Sequence, residues 1–486
     1  MNNIIKNLSI VVLFGTLSTS CSKELDTVPD TIKSEFTTFD DIRAARVGAY
    51  DALQSASYYQ NAAASGSASG WSQLPDLMGD DFVESLESLG NWNAMSDYSF
   101  TSSTGVVGGV YAAPYEVIFR ANKTLQSLNP YETGATLREA QRIKAEMFAL
   151  RAMAHFDVMR YFAPDFARNS SSLGVPNVTV APATPLSFKP SRNTVKENYD
   201  LIFADLNQSL VNFRLGGATT GNTTRVFIDS TVVYAIRARV AYYAQDWAEV
   251  LRCTNIALGL RPIGNAANFI AAFQTTSEAT PPSEVYWVIP KDNFLNPGGA
   301  TNGPSPNYRV TMAMRDTIQN NNARYGTNAY TNTGVIRFNI SGQGGVLRTL
   351  SYKYNGQRTF KVFRAGEMLL MRAEAKAKSS DDAGALADLN LLRTNRGSGA
   401  VIAGTETGAE LLKSIAIFRR IELLSEGHRW FDLKRTTRSF SRAECSIAAG
   451  SKATTCSVSA TAREWAFPIP FNESKLNENL VQNPGW

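Results

Sequence analysis

Asp76, Asp80, Asp81, Glu84 and Glu87 crowd one short stretch of the chain. Paired carboxylates are the machinery of glycoside hydrolysis, in which one group donates a proton while the other attacks or activates water. Sequence spacing does not give the distance between carboxyl groups, so two readings stand: an acid–base pair, or surface acidity, the simpler of the two. The flanking tryptophans, Trp71 and Trp92, lie in polar, glycine-bearing segments and not on an amphipathic helix. An indole so placed either stacks on the apolar face of a sugar ring or plugs a gap beneath the loops. For the first reading, Asp80, Asp81 and Asn93 supply the short polar partners that sugar hydroxyls require. Phe294, Tyr308, Arg309 and Tyr330, from a long insertion over residues 291–334, then form the opposite wall.

Other chemistries are excluded by composition and motif. His155 and His428 are the only histidines, so a multi-histidine metal centre cannot be built, and no metal or cofactor is expected. No Walker-type glycine loop, zinc-protease His-Glu-x-x-His or Gly-x-Ser-x-Gly elbow is present. Basic residues number 48 and acidic ones 43, a net +5 with no Lys/Arg-rich block, which argues against nucleic acid as a partner.

Any such site must be positioned by a chain of 486 residues, 44% hydrophobic, which is long enough to bury a sizeable core. Lys6 precedes an apolar run, Leu8 to Leu17, of signal-peptide length, and after residue 20 no run of about 18 apolar residues remains to span a bilayer. Leu17-Ser18-Thr19-Ser20-Cys21 resembles a bacterial lipobox, which implies cleavage before Cys21 and lipidation of its thiol. An ordinary secretory signal is the alternative, and both place the mature chain outside the cytoplasm. Cys445 and Cys456 enclose the Ser/Ala/Gly/Thr-rich residues 446–455 and, in an oxidising compartment, are expected to pair. Cys253 sits inside an expected helix as a small buried hydrophobe.

The elements are mainly helical. Capping-box patterns at Thr38 with Asp41, Thr136 with Glu139 and Thr194 with Glu197 each precede a periodic apolar run. Between Ser230 and Leu258, Val232, Ile236, Val240 and Tyr243 mark one helix face. Trp247, Val250, Leu251 and Leu258 mark the next, across a turn at Gln245-Asp246. Small residues such as Ala235 and Ala238 allow close packing, so the unit resembles a tetratricopeptide pair. Similar pairs are expected from Phe363 to Arg393 and over residues 112–128 with 138–162. Trp247 and Trp287 read as core, and Glu284 to Pro290 as a short strand. Long stretches rich in Gly, Ser, Asn, Thr and Pro separate the pairs, so no regular solenoid is described. The fold class expected is mainly α: a tetratricopeptide-like helical-pair scaffold with long loop and short-strand insertions.

The last third carries more specific patterns. Arg364 and Glu367, Met371-Arg372-Ala373-Glu374-Ala375, and Leu389-Asn390 with Arg393 and Arg396 are followed by Arg419-Arg420-Ile421-Glu422-Leu423. Glu426-Gly427-His428-Arg429, Asp432-Leu433-Lys434-Arg435, Pro468-Ile469-Pro470 and the ending Gln482-Asn483-Pro484-Gly485-Trp486 complete the set. Together these resemble the SusD/RagB family of outer-membrane nutrient-binding lipoproteins. Phe39 to Leu53 and Glu146 to Phe162 fit it as well. Phe418 stands where a glutamate is common, and Ala163 where a glycine is frequent.

The resemblance implies residues 1–20 as a lipoprotein signal peptide and 21–486 as a single domain. Within that domain, 22–35 form a tether, about 36–225 an N-terminal part and about 226–486 a C-terminal part. It also implies a non-catalytic, surface-exposed protein anchored by lipid to the outer membrane, which captures glycans and delivers them to a SusC-like TonB-dependent transporter. The rivals are a secreted glycoside hydrolase using residues 76–87 and a helical-repeat envelope scaffold that binds peptides. Physically, Arg420, Glu422, Glu426, Arg429, Asp432 and Arg435 alternate in sign around a helix end and read as an ion-pair network. Gly427 suits a helix C-cap there, and His428 reads as a packed or surface imidazole.

Overall fold

The computed structural model describes residues 35–59, 70–88, 90, 92–184, 187–217, 225–274, 281–289, 307–321, 336–341, 347–351, 353–354, 359–398 and 404–486. Cys21, Phe294 and Tyr330 lie outside them. The chain divides into two units, residues 1–42 and 43–486. In the first, Thr38 Oγ1 accepts the Asp41 N–H at 3.2 Å while Asp41 Oδ2 accepts the Thr38 N–H at 2.9 Å, so the expected cap starts helix α1 (Phe39–Asp51).

In the second unit the helices are α2 (Leu74–Leu77), α3 (Asn93–Ser96), α4 (Gly105–Ser127), α5 (Leu137–Phe162), α6 (Val195–Gly216), α7 (Ser230–Tyr243), α8 (Trp247–Leu260), α9 (Ala266–Gln274), α10 (Met312–Asn321), α11 (Ala365–Lys378), α12 (Asp382–Arg396), α13 (Gly408–Glu422), α14 (Arg429–Arg435) and α15 (Phe471–Leu476). Thr194 and Glu197 close a full capping box at α6, and Asp229, Asp246 and Asp381 cap α7, α8 and α12 through their side chains. Such caps satisfy N–H groups that the first helical turn leaves unpaired, each worth about 1 kcal/mol.

The third expected cap does not form. The Thr136 hydroxyl donates back to the Tyr131 and Thr133 carbonyls, and Glu139 turns to Arg43 on α1, a bidentate pair at 2.8 and 2.6 Å.

α7 and α8 pack as a pair across Gln245-Asp246, with Gln245 at φ +57°. α11 and α12 form the second pair, and α5 packs between α4 and α6. α11 also packs on α8 and on α13, which joins the pairs into one layered core. Ala235 and Ala238 are fully buried and let α7 approach its neighbours closely. Trp247 is only half-buried, edge-on to Tyr242, because the N-terminus of α8 lies at the surface, whereas Trp287 is fully buried.

The strands are short insertions. β2 (Val285–Ile289) pairs antiparallel with β6 (Phe360–Arg364), which runs directly into α11. A four-stranded antiparallel sheet has the order β1 (Phe82–Glu84), β3 (Tyr308–Val310), β5 (Leu347–Ser351), β4 (Ile336–Ser341). β7 (Phe440–Ser441) pairs with β8 (Ser457–Val458), and between them Cys445 and Cys456 form a disulfide with Cα atoms 5.3 Å apart.

Candidate functional site

The acidic segment and the central insertion meet as neighbouring strands. Phe82, Val83 and Glu84 of β1 face Val310, Arg309 and Tyr308 of β3, so the two segments share a sheet and are not opposing walls of a cleft. The disulfide-closed loop packs alongside: Ser451 bridges Ser85, Lys452 Nζ donates to the Ser88 carbonyl at 2.7 Å, and the Thr454 and Thr455 N–H groups donate to Asp97. Arg442 ties the disulfide-closed loop to the acidic segment and α3, donating to the Thr455 carbonyl at 3.3 Å and to the Gly79 and Ser96 carbonyls at 2.9 and 2.7 Å. Arg442 and Lys452 were not among the residues expected from sequence. A lone basic residue beside a small-residue loop carries no spacing signal.

Within this assembly the carboxylates are neither a solvated face nor a free acid–base pair. Asp76, fully buried on α2, accepts the backbone N–H groups of Gly427, His428 and Arg429 at 2.8, 3.2 and 3.2 Å, and so caps α14 from across the fold. Burial pushes it up to about 7, against the pull of those N–H groups. Asp80 accepts both arms of Arg429 at 2.5 and 2.9 Å, and Asp81 accepts from Arg420. Burial works against the Asp80 charge, but Arg429 and Arg420 outweigh it and hold this carboxyl below the usual range; Asp81, buried more deeply, is pushed up. Burial also raises Glu84, and Glu87 is half-buried.

The aromatic candidates are largely consumed in packing. Trp71 is 2% exposed, edge-on to Tyr58 and Tyr161 with centroids 4.6 and 5.1 Å away, and offers no free face. It is a core plug, and its backbone carbonyl lies against Gly427. Trp92, 7% exposed, stacks on Tyr308 at 5.7 Å, and the Tyr308 hydroxyl donates to Ser96 Oγ at 3.0 Å. Arg309 is buried, pairs with Glu444 and donates to the Ala449 carbonyl at 2.7 Å. Trp71, Asp81, Tyr308 and Arg309 are therefore not presented to solvent: β3 is covered on both faces, Tyr308 by Trp92 and Arg309 by the disulfide-closed loop, while Trp71 is enclosed by tyrosines and Asp81 by Arg420. Asn93 is exposed at the start of α3.

The alternating charges of the last third form the expected network, extended by partners far away in sequence. Arg364 donates to Glu426 at 2.7 Å and to Glu422; Arg396 donates to Glu422 at 2.9 Å and to Glu284 at 3.2 Å; Lys353 also pairs with Glu426. Burial opposes charge at Glu422, yet the facing guanidinium groups hold it well below the usual range. Burial drags Lys353 down to about 8. Around it, Arg419 pairs with Asp432, Arg435 with Glu374, and Arg239 with Glu367. All of these join helices; burial lowers the His428 pKa, and no carboxylate among the described residues pairs with its ring.

Gly427 is not a C-cap. α13 ends at Glu422, and Gly427 at φ +75° lets the backbone touch Trp71, whose carbonyl oxygen would lie 1.9 Å from an added Cβ. Phe418 carries the Arg393 guanidinium 4.7 Å above its ring, and the Ala163 carbonyl accepts Lys434 Nζ at 2.6 Å.

Residues 266–486 match the SusD family, and residues 47–213 match a family described as starch-binding and associating with outer membrane. This chain belongs to the SusD family. A SusD-like protein of Formosa agariphila is 23% identical over 89% of this chain and 92% of its own length. Among solved structures, a SusD superfamily protein from Bacteroides vulgatus covers 93% of this chain and 100% of its own at 22% identity and a TM-score of 0.75. One from Bacteroides thetaiotaomicron covers 92% and 100% at 20% identity and a TM-score of 0.72. The ion-pair block falls where α11 to α14 converge, and its charges join the helices of the scaffold.

Proposed function

We propose that this SusD-family chain is a non-catalytic glycan-binding protein, anchored at the outer membrane through lipidated Cys21, that hands oligosaccharides to a SusC-like TonB-dependent transporter. The observation that carries the reading is the pair of family matches over 47–213 and 266–486, one to a family described by starch binding and outer-membrane association. The lipobox-like run before Cys21 supports the anchor. The glycoside hydrolase reading loses ground because Asp76, Asp80 and Asp81 are committed to backbone N–H groups and guanidinium groups.

The glycan surface is proposed around exposed Asn93, next to the largely covered Trp92, with Phe294 and Tyr330 of the central insertion proposed from sequence as stacking residues. Asp80, Asp81, Tyr308 and Arg309 brace that surface from beneath. Trp92 adds a buried indole N–H with no acceptor among the described residues.

A glycan array on the chain lacking residues 1–21 identifies the ligand, and calorimetry on Trp92→Ala, Asn93→Ala, Phe294→Ala and Tyr330→Ala then tests the surface. Half coverage of one aromatic ring is worth roughly 2–3 kcal/mol before the costs of association, so losing a stacking residue is expected to weaken binding at least tenfold. Parent-like affinity in all four folded variants refutes this placement. Saccharide release by pure protein refutes the non-catalytic reading, and purification from native membranes without a barrel partner refutes the transporter.

A further inference from the structure

A concave site lies on a different part of the molecule. Tyr111, Tyr115 and Phe119, four residues apart on one face of α4, line a cavity of about 390 Å³ together with Phe188 and with Glu473 and Leu476 of α15. Pro176, Pro182 and Pro190 form part of its wall. Its size falls in the range of specific ligand pockets, and its lining is largely apolar.

The polar groups around this cavity are nearly all engaged. The Tyr115 hydroxyl donates to the Pro176 carbonyl at 3.0 Å, and the Asn477 amide donates to the Pro190 carbonyl at 2.9 Å. Glu116 pairs with Arg120 at 2.6 Å, and Lys189 with Glu478 at 3.4 Å. Arg192, behind Tyr111 and Tyr115, is spent on the Gly174, Leu173 and Val481 carbonyls and on Asn483. Glu473 is the exception: its carboxylate has no hydrogen-bond or ion-pair partner among the described residues. Burial is the one influence on its titration, and it raises the pKa.

This pattern discriminates between occupants. A saccharide brings many hydroxyl groups, and a wall with one free acceptor leaves most of them unpaired at a cost. A purely apolar group would cover Glu473 and leave a carboxylate desolvated without compensation. One positive charge on an apolar stem satisfies both conditions, because the stem lies along aromatic faces and the head meets the carboxylate. A small free amine would leave the rim bare, where Phe119 and Leu476 are 37% and 65% exposed. A polypeptide segment covers it.

We propose that this pocket is a docking notch for a partner protein, receiving a lysine or arginine side chain from an extended segment, with the stem along Tyr115, Phe119 and Phe188 and the charge on Glu473. The proposal stands on the pocket itself and does not depend on the glycan or transporter reading.

The test uses the chain lacking residues 1–21 and a fluorescent hexapeptide library whose central residue is lysine, arginine, norleucine, serine or glutamate, read by fluorescence polarisation. Butylammonium and a maltooligosaccharide mixture serve as competitors. Central lysine or arginine is expected to bind about tenfold tighter than norleucine, as one charge-assisted contact implies. Glu473→Gln should abolish that preference, and Phe119→Ala should weaken lysine and norleucine peptides alike, both variants melting as the parent does. Equal binding of lysine and norleucine, a preference that survives Glu473→Gln, or no binding by any member overturns the proposal. Displacement of the peptide by saccharide overturns it in favour of a sugar site, and butylammonium binding as tightly as peptide overturns it in favour of a small-amine site.

Discussion

Gly427→Ala concentrates the reasoning about how the acidic segment is held. Gly427 has φ +75°, a conformation that costs a residue with a Cβ roughly 1–2 kcal/mol. The added carbon would also lie 1.9 Å from the Trp71 carbonyl oxygen, 2.9 Å from its carbon and 3.2 Å from Ser72 Cα. All three are backbone atoms, so no rotamer change relieves the clash and one strand of chain must move. Movement stretches the 2.8 Å bond from the Gly427 N–H to buried Asp76, and a bond to a charged group is worth about 1.5–3 kcal/mol.

The sum is on the order of 2.5–5 kcal/mol, a large part of the roughly 5–15 kcal/mol that holds a typical folded protein together. Gly134→Ala is the control: it has φ +54° but open space around its Cβ position, so it should lose only the backbone share. Urea unfolding followed by tryptophan fluorescence and circular dichroism measures both. If the two variants lose the same stability within about 0.5 kcal/mol, the close approach of Gly427 to Trp71 is not what binds these segments.

Three further outcomes are expected. His155 bonds the Arg151 carbonyl through Nδ1 at 2.9 Å and accepts the Val178 N–H through Nε2 at 3.0 Å, a pattern only the neutral ring can make, and burial lowers its pKa from 6.5 to about 3. Its contribution is present above pH 6.5 and lost as pH falls toward 3, so His155→Gln should flatten the acid limb of the stability profile; parallel curves would contradict this. Cys445→Ser with Cys456→Ser opens a loop with a sequence separation of 11 and should cost about 2–3 kcal/mol, seen as a lower melting temperature that reductant no longer changes. Arg396→Met strands buried Glu422 and Glu284 and should cost about 3–5 kcal/mol in urea unfolding, whereas a loss below about 1 kcal/mol would show that Arg364 alone satisfies both carboxylates.

The helix pairs were legible because their signals are local. Periodicity of Val232, Ile236 and Val240, and a threonine three residues before a glutamate at Thr194, act within one or two turns. Thr136 shows the limit of that logic: the same spacing failed once Arg43 offered Glu139 a better partner. The sign alternation around Glu422 and Arg429 marked an ion-pair network, but Glu284, Lys353 and Asp80 as its partners carried no spacing signal.

Sequence by itself determined the helical scaffold, the expected pairing of Cys445 with Cys456 and the resemblance to the SusD family, since each rests on residue types at short separation. Tertiary structure decided what the candidate site residues do. Asp76 meets Gly427 across 351 positions of chain, and only that contact turns a carboxylate from a potential acid into a helix cap. Trp71 and Trp92 look alike in sequence, polar and glycine-flanked, yet one is enclosed by Tyr58 and Tyr161 and the other leans on Tyr308 at the edge of a sheet. Exposure and pKa depend on what distant segments bring over a side chain, and local sequence does not encode that cover.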